Sequence, residues 1–179
     1  AERFKATAET IRRFLPQNPV VVVSAVGGIT NILDKAAHSA ASGRNQLEDI
    51  LAPHRRIIAD LGLDPHPFYS MFELLRAELE SVAMQGELTP QKKDYIHSFG
   101  ERISVRILAA LLNKNVLSAT AYEGGDAGMI TDANFGCACP LPESKQAIRN
   151  WLASFSFSEV IPIVTGYIGK TENGVMTTI

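Results

Sequence analysis

The sequence predicts an α/β fold: a mostly parallel sheet, helices on both faces, and a helical lobe over residues 29–112. Three observations predict it. Apolar runs at 20–23, 115–121 and 160–165 are separated by segments of helical spacing, the pattern of a parallel or mostly parallel sheet. The first run, Val20 to Val23, turns sharply into a helix through Ser24 and the Gly27-Gly28 pair. The stretch between the first two strands is too long for a simple βαβ unit, so it reads as a helical layer or lid over one end of the sheet.

In chain order, residues 3–15 read as a helix ended by Pro16 and the Gln17-Asn18-Pro19 turn. The four valines read as a strand covered on both faces. Ile29, Leu33, Ala36, Ala37 and Ala40 give the next helix, from Thr30 to about Ala41, broken by Ser42-Gly43. The apolar stripe from Leu47 to Leu61 contains Pro53, which should kink or divide it, and Gly62 caps its end. Pro65 and Pro67 mark a turn. Phe68 to Val82 follows as a helix closed by Gly86, its Met and aromatic residues belonging to the core. Thr89-Pro90 starts a helix with a hydroxyl cap and a proline at the first helical position. Gly100 costs about 1 kcal/mol relative to alanine within a helix, so a break or close packing is expected there. Ile103 to Leu112 would then form a second helical face. Met129–Asp132 is a short strand candidate, and a helix carrying Trp151 and Phe155 is entered through Pro142. Pro162 cannot donate to a ladder, which predicts an edge position or a bulge for the 160–165 strand. Asn173-Gly174 is a hairpin turn between Tyr167–Lys170 and Val175–Ile179.

A chain of 179 residues reads as one domain or a large piece of one. Its net charge of −2, without a basic run, argues against nucleic acid or an anionic membrane surface as main partner. No apolar run approaches the ~20 residues of a bilayer span. Cys137 and Cys139 have no histidine nearby, and the four histidines share no ligand spacing. No metal site or disulfide framework is therefore expected, and a reducing, cytoplasmic setting is compatible with this. Both ends read as cut: Ala1 opens into helical spacing and Ile179 closes within a β-like run, so an incomplete domain is expected.

Four stretches are candidates for chemistry. The first is the Ser24–Thr30 junction, because ligands collect at strand carboxyl ends facing helix N-termini. A tight turn without a ligand fits the same residues. The second is His97-Ser-Phe-Gly-Glu-Arg-Ile-Ser104. A break at Gly100 would place Glu101 in a first helical turn, where the dipole keeps its carboxylate ionised and ready for an ammonium group. A structural ion pair of Glu101 with Arg102 or Arg106 is the alternative. His97 has no evident carboxylate partner. The third is Gly124–Asp132, whose glycines around Asp126 either present N–H groups to a ligand or form a plain surface loop. The fourth is Val164–Gly169, a second strand end prepared for close approach. No Walker A loop, GxSxG elbow or HExxH pair is present.

Together these stretches resemble the aspartokinases, within the amino-acid kinases. Val-Val-Ser-Ala-Val-Gly-Gly-Ile-Thr-Asn (22–31) is similar to that family's second conserved segment, and Ser-Phe-Gly-Glu-Arg-Ile-Ser (98–104) to its substrate-site segment. Residues 127–136 and 164–169 match later ones. The resemblance implies an amino-acid kinase-like αβα sandwich and the aspartate-binding part of a catalytic domain over residues 1–179. The family's opening strand and Lys-Phe-Gly-Gly loop, its Gly-Arg-Gly-Gly-Ser-Asp segment, most of the nucleotide site and its regulatory ACT domains would lie outside. It implies ATP-dependent phosphorylation of the L-aspartate β-carboxylate, the first step toward lysine, threonine and methionine. ATP with Mg²⁺ would be the co-substrate, and the complete enzyme a homo-oligomer. By position, Glu101 would bind the substrate α-ammonium and Thr30 its carboxylate, with Ser24 close by. The isolated chain is expected to lack turnover. The rival readings are another amino-acid kinase, acting on a different carboxylate or carbamate, and a non-catalytic amino-acid-binding homologue.

Overall fold

A computed structural model describes all 179 residues. α1 (Glu2–Phe14) leads through a 3-10 turn to β1 (Val21–Val23) and α2 (Ile29–Ala41). α3 (Leu47–Asp60), α4 (Tyr69–Gln85) and α5 (Pro90–Lys114) complete the helical lobe. β2 (Ala119–Tyr122), β3 (Ile130–Thr131), α6 (Ser144–Ala153), β4 (Ile161–Thr165), β5 (Ile168–Thr171) and β6 (Met176–Thr178) follow. The strands form two three-stranded sheets, β1-β4-β2 and β3-β5-β6. Every pairing is parallel except the β5–β6 hairpin, which turns at Gly174 with φ 79°.

The lobe is not a separate domain. One core of 31 buried residues joins α1 to α5 with Ala119, Ile161 and Ile163 of the first sheet. Alternation along β2 then turns Tyr122 to the opposite face, where its ring meets Trp151 of α6 and Phe155, each at 5.3 Å. Helices therefore flank both faces.

Two expectations need correction, and at Pro53 and Gly100 one of two stated alternatives falls. β1 is not covered on both faces: it is an edge strand, and Val22 is 67% exposed. Pro53 does not divide its helix, since α3 runs through it as one element. Pro162 lies in β4, the central strand, and its register with β2 runs without a bulge. The Ile161 N–H donates to Ser118 on the β2 side at 2.9 Å, so the Pro162 nitrogen turns toward β1. β1 begins pairing only at Val21 with Ile163, so the missing donor falls beyond the end of that ladder.

At Gly100 the expectation of close packing holds and that of a break does not. α5 is continuous over 25 residues, capped by the Thr89 hydroxyl, which accepts from the Lys92 N–H at 3.2 Å. Close packing, not a break, is what the glycine provides. A Cβ there would stand 2.8 Å from that of Ala25 and 3.3 Å from Cδ1 of Leu33. α5 thus presses against the turn that leaves β1.

Candidate functional site

The carboxyl ends of β1, β4 and β2 share one rim. β1 runs into the Ser24–Gly28 turn, and Gly28 takes the left-handed φ of 87° that starts α2. The Gly166 N–H donates to the Val23 carbonyl at 2.9 Å, and a Cβ on Gly166 would lie 3.6 Å from the Ser24 Oγ. The Gly124 N–H, just past β2, donates to Thr165 Oγ1 at 2.8 Å. Tyr167 follows β4 with φ 60°, a strained conformation for a bulky side chain, and is 41% exposed at this rim.

α5 lies against the rim and sends neighbouring side chains to two strand ends. Glu101 Oε1 accepts the Ala25 N–H at 3.1 Å, in the turn after β1. Arg102 Nε and Arg106 Nη2 donate to Glu123 Oε1, after β2, at 2.8 and 3.1 Å. The expected ion pair of Glu101 with Arg102 or Arg106 is therefore not formed, because both guanidinium groups are taken by Glu123. The Arg102 guanidinium also stacks over Tyr95 and Phe99.

Glu101 does not sit in a first helical turn, and the dipole account of its charge fails. It is mid-helix and 3% exposed. Burial pushes its carboxyl above the ordinary range, opposed by the Ala25 N–H and its own backbone N–H. A buried carboxylate with so little compensation is primed for a cationic partner.

Ser24, Thr30 and Glu101 gather at this junction to different degrees. Glu101 touches the turn itself. Ser24 is exposed one residue before Ala25. Thr30 is half-buried in the first turn of α2, a helix that begins without a side-chain cap and so leaves N–H groups available. A cavity of about 700 Å³ opens beside the turn, lined by Ser24, Ala25, Gly27, Arg3 and Ser104 among others; neither Thr30 nor Glu101 lines it. Asp126 is elsewhere, paired with Lys170 at 3.0 Å on the surface.

Three acidic residues were missed by sequence reasoning. Asp34, on a different helix, places a carboxylate 3.2 Å from His97 Nε2. Glu123 collects the two arginines. Asp94, fully buried, accepts from the Gly136 N–H, the Thr178 N–H and the Thr178 hydroxyl, tying α5 to the second sheet. Only Asp34 left a signal: it lies one helical turn beyond Thr30, as His97 lies one turn before Glu101.

The sequence profile of the amino acid kinase family matches residues 1–179. The chain belongs to the amino acid kinase family. Within it, Aspartokinase 1, chloroplastic, of Arabidopsis thaliana is 35% identical over 100% of this chain and 33% of its own length. Aspartokinase 2, chloroplastic, of the same plant is 35% identical over 95% of this chain and 33% of its own. The chain thus spans about a third of the length of these curated relatives. Among solved structures, E. coli aspartokinase III in complex with aspartate and ADP has the same fold. Its TM-score is 0.78 at 23% identity, over 99% of this chain and 40% of that one. Clostridium acetobutylicum aspartate kinase gives 0.70 at 19% identity, over 99% and 38%. The amino acid kinase fold expected from the four motifs is therefore the fold found.

Proposed function

We propose that residues 1–179 are the aspartate-binding part of an aspartate kinase catalytic domain. The complete enzyme moves the γ-phosphoryl group of ATP to the β-carboxylate of L-aspartate and yields 4-phospho-L-aspartate. The observation that carries the proposal is the hydrogen bond from the Ala25 N–H to Glu101, which seats a buried carboxylate against the β1–α2 turn. In open α/β sheets such rims are where ligands bind. The 35% identity with the Arabidopsis aspartokinases across the chain supports aspartate as the substrate.

The roles follow from the chemistry of each group. A substrate α-ammonium returns to Glu101 the counter-charge that burial leaves it without. The Thr30 hydroxyl donates to an aspartate carboxylate beside the uncapped start of α2, whose N–H groups and dipole favour negative charge. Ser24 adds a second hydroxyl at the end of β1. Phosphoryl transfer asks the protein mainly for positioning and charge neutralisation, and these residues supply the positioning of the acceptor. ATP enters as its Mg²⁺ complex, with its contacts assigned to the rest of the longer protein. We place the complete enzyme in the cytoplasm as a homo-oligomer, although the Arabidopsis relatives are named chloroplastic.

The test is steady-state kinetics on the full-length protein. Glu101→Ala removes a charge-assisted hydrogen bond worth about 1.5–3 kcal/mol, so the aspartate KM should rise roughly 10- to 100-fold while the ATP KM stays near its original value. An unchanged aspartate KM overturns the role of Glu101. ADP release with a carbamate or a different carboxylate, and none with aspartate, assigns another kinase of the family.

A further inference from the structure

The contact between α2 and α5 carries a charge cluster that the substrate roles above do not use. Thr30 and Asp34 share one face of α2, a turn apart, and His97 and Glu101 share one face of α5 at the same interval. Lys93 stands one turn further from Glu101. Asp34 Oδ1 lies 2.8 Å from Lys93 Nζ and 3.2 Å from His97 Nε2. The His97 side chain is 10% exposed while Asp34 and Lys93 are 40% and 35% exposed, so the cluster spans the edge of the helix contact, buried on the His97 side and open to water on the other. The His97 Nε2 is buried without a hydrogen-bond partner of good geometry, and the Asp34 carboxylate is the charged group facing it.

α2 and α5 are therefore fastened at two levels. At the rim, Gly100 lets α5 touch Ala25 and Leu33. One to two turns below, Asp34 grips Lys93 and His97. Two fastenings fix the rotation and the slide of one helix on the other, which a single contact does not.

We propose that Asp34 is a positioning residue: by joining Lys93 and His97 it locks α2 onto α5. The lock sets the gap between Thr30 and Glu101, and with it the length of amino dicarboxylic acid that the site accepts. This rests on the reading of Glu101 and Thr30 as the ammonium and carboxylate partners. A ligand held at both ends is sensitive to that gap, since a misplacement of about 1 Å can cost on the order of 100-fold. The electrostatics agree. The Lys93 ammonium holds the Asp34 carboxyl below the usual range. Burial depresses the His97 imidazole, and Asp34 and Asp94 oppose that shift while Lys93 adds to it.

The experiment compares Asp34→Asn with the unchanged full-length protein. Asparagine keeps the size and removes the charge. The aspartate KM should rise about tenfold, with kcat and the ATP KM within about twofold, and discrimination against glutamate should fall. Pairing it with Lys93→Met should add little further loss, because both break one lock. A readout independent of activity is the His97 imidazole titration by NMR, which should move to still lower pH once Asp34 loses its charge. An unmoved titration overturns the lock. A moved titration with unchanged aspartate KM and unchanged glutamate discrimination overturns its control of the gap. Both KM values rising together with a large loss of Tm assign Asp34 to general stability and overturn the proposal. Absence of aspartate-dependent ADP formation in the unchanged protein overturns the functional reading instead, and the gap's substrate role with it; the titration still decides the lock.

Discussion

Glu101 shows what a buried carboxylate costs its own protein. Burial raises its pKa, so the folded chain holds this proton more tightly than the unfolded chain does. The associated stability is fully present below the unfolded value and is lost as pH rises through the raised folded value. At neutral pH the ionised group is therefore a burden. Glu101→Gln keeps the shape and an acceptor for the Ala25 N–H but has no charge to desolvate. We expect its Tm at about pH 7 to rise by roughly 2–4 °C, the effect of about 1 kcal/mol in a chain of this size. The gain should vanish near pH 4, and aspartate binding should be weakened at neutral pH. Scanning calorimetry at both pH values checks this; a lower Tm at neutral pH counts against it. Glu101 stands out in the sequence as a candidate, within the Ser98–Ser104 segment. Its surroundings were not legible there, because the Ala25 N–H that meets it lies 76 positions away. For the same reason the destination of Arg102 and Arg106 could not be read from their neighbour Glu101: it is fixed by where β2 ends.

At the level of single elements, periodicity located α1 to α5 within a residue or two, and turn chemistry located the Gly62 and Gly86 helix ends and the hairpin at Gly174. What failed was the reading of single interrupting residues. Pro162 looks like an edge marker until β1 is seen to start one residue too late to need its donor. Gly100 looks like a break because local propensity disfavours it, yet tertiary contact decides. Propensity alone would make Gly100→Ala stabilising by about 1 kcal/mol. The added methyl meets Ala25 at 2.8 Å, and overpacking of this kind costs about 1–3 kcal/mol. We expect a net loss of stability in denaturant titration, together with a weaker grip on aspartate as the turn is pushed off α5. A higher midpoint would show that the two segments part without penalty.

Across the whole molecule, α5 is the piece that joins the helical lobe to both sheets. Its residues 101, 102 and 94 reach the end of β1, the end of β2 and β6 in turn. Periodicity announces both the lobe and the strands, but not that one helix holds the two sheets, since those bonds join residues far apart in the chain. Every side chain from Ile96 to Val105 is buried, although a glutamate, an arginine, a histidine and two serines are among them. A helix enclosed on all sides cannot fray toward water from any flank, so its amide protons should escape only when the entire domain opens. In deuterium exchange the 96–105 amides are expected to be among the slowest to change mass, with a common rate that follows global unfolding. The surface turn at 154–159 should exchange far sooner. A change at the β1–α2 turn that disturbs this helix would then be felt by the part of the chain expected to open last.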